Sequence, residues 1–151
     1  MNDKARSKAE FRASRETLGL SQNDVARLLD IDVANVKRWE KPGEAHPRPF
    51  AWELLDELTE RRETTVEHAL EIVLHAQEHT GKLPDRVQLT YWRDQQQFDA
   101  LGLDSGPFGM ANANAREAAR RLEEMGVTVE WSYPDDDDNV YHVAKQRVEG
   151  D

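Results

Sequence analysis

The chain has 151 residues, 33% of them charged and 38% hydrophobic, with no cysteine and a formal net charge of −10. That is apolar material for one ordinary domain or two very small ones, and too much for wholesale disorder. Disulfides and thiolate metal sites are excluded, no stretch nears the roughly 18 apolar residues of a membrane span, and no signal peptide is read, so a cytoplasmic chain is expected.

The charge is unevenly spread. Residues 1–50 hold 10 Lys and Arg against 8 Asp and Glu, a balance of +2, which leaves −12 for residues 51–151. A mildly basic head on an acidic body keeps an anionic partner open, because steering depends on the field within about 10 Å.

The first predicted helix covers residues 7–18, with Phe11, Arg15 and Leu18 at helical spacing and Gly19 stopping it. Ser21 opens a second helix, with Asp24 in the capping-box position and Val25, Ala26, Leu28 and Leu29 as its buried stripe. A third runs from Asp32, its cap, to Trp39, with Val36 and Trp39 facing inward. Lys41-Pro42-Gly43 ends it. The prolines of His46-Pro47-Arg48-Pro49 exclude helix before them, and Pro49 starts a fourth helix over 49–61 with Phe50, Leu54, Leu55 and Leu58 on one face.

Thr64 and Glu67 form a second capping box, predicting a fifth helix over 64–80 with Val66, Ala69, Leu70, Val73 and Ala76 as its stripe. Gly81 ends it. The period then changes: Val87, Leu89 and Tyr91 alternate with Gln88, Thr90 and Trp92, a strand. A short helix over about 94–101 follows, then the glycine-rich loop Gly102–Gly109, then an alanine-rich helix over 111–125 capped by Gly126. Val127, Val129, Trp131 and Tyr133 alternate as a second strand. Pro134 and four aspartates make a turn, and Val140–Val143 are expected to return as a third, antiparallel strand.

The fold class expected is α+β, mostly α: an N-terminal five-helix domain, then a small α/β domain with a two- to three-stranded sheet. The boundary falls near residue 62 or within 81–85. The division adopted is 1–62, a connecting helix and linker over 63–84, a C-terminal domain over 85–145 and a frayed tail over 146–151.

The stretch from Leu20 to Glu40 carries the chemistry. Ala26 suits a close helix crossing, Ile31 plugs the turn, and Val36 and Trp39 hold the third helix. Val33, Ala34, Asn35, Lys37 and Arg38 are then left facing out or at the flanks. A helix so placed is the one that enters a DNA major groove.

These residues resemble the Cro/cI-type (XRE-like) helix-turn-helix family over about residues 7–60. The resemblance rests on Leu20-Ser21-Gln22, Val25-Ala26, Ile31 and Val36-x-Arg38-Trp39-Glu40 followed by Gly43. It implies a Cro-like domain that binds double-stranded DNA. Gln22 would lie near phosphate and base edges, Val33, Ala34 and Lys37 would read bases, and Asn35 and Arg38 would hold phosphate. Ser21, Arg27 and Lys41 complete the expected contact set, and Glu40 would be structural. There are two departures. Asp30 stands where the family usually has glycine at the turn, and Val33 and Ala34 can touch a thymine methyl but cannot hydrogen-bond a base.

Leu89-Thr-Tyr-Trp-Arg-Asp followed by an alanine-rich helix resembles the YdiL-like regulators, a group that includes anti-CRISPR-associated repressors. That resemblance implies a homodimeric autorepressor on an inverted repeat in its own operon promoter. The aromatics Tyr91, Trp92, Phe98, Phe108, Trp131, Tyr133 and Tyr141 could fill the C-terminal core or line an isologous interface. The alternative is an antitoxin or protein-binding adaptor on the same scaffold.

Other constellations are weaker. His68, His75 and His79 share one helical face, but three ligands over three turns cannot converge on one ion, so no metal or other cofactor is expected. Asp135–Asp138 lack the spacing of a calcium loop. Arg116, Arg120 and Arg121 form a basic patch that could touch RNA, though Glu117, Glu123 and Glu124 offset it. No nucleophile–base order or paired carboxylates point to an enzyme.

Overall fold

The computed structural model describes residues 5–102 and 104–139. The expected third strand at Val140–Val143, Tyr141 and the tail over 146–151 lie outside them. The rest is a mostly helical α+β chain with a small two-stranded sheet. It divides into two compact units at Arg62 and Glu63.

The first unit is built from α1 (Lys8–Thr17), α2 (Gln22–Leu29), α3 (Val33–Glu40) and the beginning of α4 (Pro49–Thr80). Local chemistry marks each start. Ser7 caps α1 and Ser21 caps α2, each in a complete capping box, with Glu10 and Asp24 as the reciprocal acids. Asp32 caps α3 by accepting from the Ala34 amide. Satisfying these otherwise orphaned amides stabilises each helix by about 1 kcal/mol.

Phe11, Leu18, Leu20, Val25, Val36, Trp39, Ala51 and Leu55 form the core of this unit. Phe11 meets the ring of Trp39 edge-on at 5.9 Å and that of Trp52 at 5.2 Å. Such edge-to-face pairs add about 0.5–1.5 kcal/mol beyond burial. Two stripe residues fall elsewhere than expected. Leu28 is 43% exposed and Phe50 45% exposed. Leu28 lies one step past the face that Val25 and Ala26 bury, and Phe50 instead meets Trp39 from the edge of the core.

A larger correction concerns residues 49–80. The separate helices expected over 49–61 and 64–80 are one 32-residue helix, α4. The Thr64 capping box does not form, because Thr64 lies in the helix interior. Leu55, Leu58, Arg62, Val66, Ala69 and Val73 follow one another at steps of three or four, and the four aliphatic residues Leu55, Leu58, Val66 and Val73 are buried. The stripe therefore continues through the expected break.

The second unit takes the rest of α4, β1 (Arg86–Thr90), α5 (Gln95–Leu101), α6 (Phe108–Glu124) and β2 (Thr128–Ser132). The strands pair in parallel, with Arg86 opposite Thr128 and Thr90 opposite Ser132. A parallel pair needs a long crossover, which α5 and α6 provide. α6 begins at Phe108, three residues earlier than the alanine-rich run suggested, so Gly109 is helical. Val73, Leu122 and Val127 centre one core cluster, with Leu70, Val87 and Val129 around it.

A buried side chain ties α6 to the end of β1. The amide oxygen of Asn112 accepts from the Trp92 N–H at 2.8 Å, and its nitrogen donates to the Trp92 carbonyl at 2.8 Å. One side chain thus imitates a neighbouring strand. Asn112→Ala removes both hydrogen bonds inside a buried site and is expected to lower stability by about 3 kcal/mol. Urea unfolding measures this, and a loss within that of an exposed Asn→Ala change would contradict it.

The aromatics of this unit divide. Trp92 and Phe98 are core, meeting edge-on at 5.0 Å. Trp131 and Tyr133 are 42% and 41% exposed.

Candidate nucleic-acid interface

α2 and α3 are joined by the three residues Asp30, Ile31 and Asp32, and Asp30 carries the strain of the turn. Asp30 has φ 54° and ψ 50°, the only positive φ outside glycine among the described residues. This left-handed residue lets the Ile31 N–H reach back to the Ala26 carbonyl at 3.0 Å and close the helix end. Asp tolerates the conformation better than most residues, and glycine better still. Asp30→Gly is therefore expected to be more stable than Asp30→Ala by about 1 kcal/mol. Equal denaturation midpoints for the two variants would contradict that.

At the ends of α2 and α3 away from that turn, an ion pair links all three helices. Arg15 of α1 donates from Nε and Nη2 to the two carboxylate oxygens of Glu40, both at 2.7 Å. The side chains are 9% and 3% exposed. Arg15 Nη1 also donates to the Leu20 carbonyl at 2.8 Å. Gln22, first residue of α2, donates its amide to Glu40 at 3.2 Å. The last residue of α3 is thus bound to α1 and α2 at once. Gln22, expected near phosphate and base edges, has this nitrogen turned to the interior. Arg15 was legible only as a member of the α1 stripe. A charged side chain at a buried helical spacing is the signal that it has a buried partner.

With α3 fixed, its outer residues are defined. Ala34, Lys37 and Arg38 are exposed, and Val33 and Asn35 are half-buried. Arg38 donates to the Asn35 side-chain oxygen at 2.6 Å, and Asn35 donates to the Asp32 carbonyl. No hydrogen bond or ion pair engages Lys37 within the described residues. Ser21 is occupied by its capping box at the start of α2. Arg27 is exposed on α2, 3.7 Å from Asp24, and Lys41 is exposed just past α3.

A groove of about 640 Å³ runs beside α3 and the loop that follows, lined by Asn35, Arg38, Trp39, His46, Arg48 and Phe50 among others. Lys8 secures that loop through the carbonyls of Gly43 and Ala45. His46 and Arg48 were read only as part of a proline-rich break, yet they add exposed basic groups beside Arg38. Arg38 and Arg48 are the cations of this groove and Glu44 its one carboxylate, a mixed rim that can still meet a polyanion through the arginines.

The arginines of α6 are placed differently. Arg120 pairs with Glu117 and Glu124, and Arg121 pairs with Glu63 and Glu117. Hydrogen bonds from Arg121 to Glu63 and then Glu117 hold its guanidinium protonated more firmly than usual. Arg116 donates to the Tyr91 hydroxyl at 2.6 Å. Arg120 and Arg121 are thus compensated by carboxylates, whereas Arg116 meets the hydroxyl and ring of Tyr91. No group of three or more His, Cys, Asp or Glu side chains converges as a metal site among the described residues. No helix among them is long and apolar enough to cross a membrane.

Residues 9–69 match the family model described as a helix-turn-helix domain. A comparison with curated proteins finds no match. The match covers α1 to α3 and the first two-thirds of α4, so the geometry above is that of a helix-turn-helix domain, the kind of domain that binds DNA, with α3 as the second helix of the motif.

Proposed function

We propose that this protein is a homodimeric transcriptional repressor that binds an inverted repeat in its own operon promoter and limits its own synthesis. The observation that carries the reading is the outer face of α3, held rigid by the Arg15–Glu40 pair, with Lys37 unengaged by the described residues at its centre. Lys37 donates to guanine O6 and N7, Val33 and Ala34 meet thymine methyls, and Asn35 and Arg38 hold phosphate. Arg27 and Lys41 add backbone contacts, as do His46 and Arg48.

A single α3 spans few base pairs, and two-fold pairing doubles the contact. The exposed Trp131 and Tyr133 support the second unit as the dimerising part, since aromatics are enriched in interface centres. The protein acts in the cytoplasm and catalyses nothing. The similarity to YdiL-like and anti-CRISPR-associated repressors accords with this reading.

Footprinting on the DNA upstream of its own coding region tests it. The expected result is one protected inverted repeat carrying two copies of the chain, with weaker dimerisation in Trp131→Ser. Protection by one copy on a site without two-fold symmetry would contradict the dimeric reading.

A further inference from the structure

We propose that His75 and His79 form a two-point clamp for a divalent transition-metal ion on the exposed side of α4. They are one helical turn apart, and both side chains are exposed. Their Nε2 atoms lie 3.0 Å from each other, and the rings stand at 75° with centroids 4.4 Å apart. A two-residue pair at i and i+4 on one helix face is the spacing with which helices hold zinc.

The distance has chemical content. With metal–nitrogen bonds of about 2.05 Å, nitrogens 3.0 Å apart subtend an angle of about 94° at the ion. That is the angle between neighbouring positions of a tetragonal or octahedral ion. A tetrahedral ion would need the nitrogens about 0.3 Å further apart. A shift of that size is small for two exposed rings, so the pair can take Ni²⁺, Cu²⁺ or Zn²⁺, and Ni²⁺ and Cu²⁺ bind imidazole strongly. In the empty clamp one ring donates its proton to the other. To bind an ion through both Nε2 atoms, the donor ring moves that proton to its own Nδ1, so each neutral ring then carries its single N–H on Nδ1.

The surroundings favour a cation. Glu71 and Glu78 are exposed on the same helix turns, and residues 51–151 carry a net −12. His68 shares the face but lies seven residues before His75, too far along the axis to join. No third protein ligand converges among the described residues, so water completes the coordination. Two of the three histidines on this face thus suffice where three could not meet.

Nickel titration of the full chain without an affinity tag tests the clamp, read by calorimetry and by paramagnetic broadening of histidine resonances. The expected result is one Ni²⁺ per chain, with His75 and His79 broadened first. Losing one arm removes the chelate advantage, so His79→Gln should weaken binding about tenfold or more. His68→Gln and His46→Gln should leave it unchanged. Ni²⁺ should also raise the melting temperature of the wild type and not that of the double variant His75→Gln/His79→Gln. Equal affinity in the double variant, or no heat and no selective broadening up to ~1 mM Ni²⁺, would overturn the proposal.

Discussion

Glu40→Ala is expected to lower the stability of the N-terminal unit by about 3–5 kcal/mol, the loss typical when one member of a buried ion pair is removed. The substitution strands the Arg15 guanidinium at 9% side-chain exposure and removes the acceptor of two 2.7 Å hydrogen bonds, as well as that of Gln22. Arg15→Ala should cost a similar amount, because Glu40 is then the stranded charge. The built-in control is Arg12–Glu16, also 2.7 Å apart but with side chains 63% and 54% exposed. Solvent screens that pair, and Arg12→Ala should cost far less than Glu40→Ala. Amide exchange at Val36 and Trp39 reports the first unit specifically. If Glu40→Ala and Arg12→Ala reduced protection there equally, the pair would not be what holds α3.

Lys37→Ala and Arg38→Ala carry the second large effect, on DNA affinity rather than stability. Both side chains are exposed, so the folded state loses little. Lys37→Ala should weaken specific binding by about 1–3 kcal/mol and relax preference at one base position. Arg38→Ala should weaken binding to all sequences alike and lower the slope of log affinity against log salt by about one. Arg38 must leave its 2.6 Å bond to Asn35 to do so. Binding titrations at several salt concentrations separate the two. The reverse pattern would exchange their roles, and an unchanged double variant would remove α3 from the interface.

What was legible in the sequence was mostly local chemistry. Ser21 with Asp24, Asp32 before α3 and Pro49 at the start of α4 are short-range devices, and each stands at the helix start it marks. The strain at Asp30 was legible only through the resemblance, which has glycine at that turn. The continuity of α4 was not, because Thr64 with Glu67 has the pattern of a start whether or not the chain begins a helix there. Spacing was the better guide: the stripe from Leu55 through Val66 to Val73 keeps one register. The parallel pairing of β1 with β2 is non-local, although a connection containing two helices already argued for it.

The contact face shows the same division. Val33, Ala34, Asn35, Lys37 and Arg38 were found from helical periodicity, because burying Val36 and Trp39 leaves them at the surface and flanks. The grip of Glu40 on Arg15 and Gln22 was invisible, since it joins residues 25 and 18 positions apart. In the proposed complex Lys37 would carry more of the hydrogen-bond readout, because the Gln22 nitrogen is engaged by Glu40.

Selection of bound fragments from a random DNA pool, at ~100 mM salt where specific complexes persist, tests the central claim most directly. The expected result is enrichment of an inverted repeat whose half-site centres lie about 10 base pairs or a multiple apart, lost when Lys37 and Arg38 are both alanine. No enrichment over the double variant would contradict it.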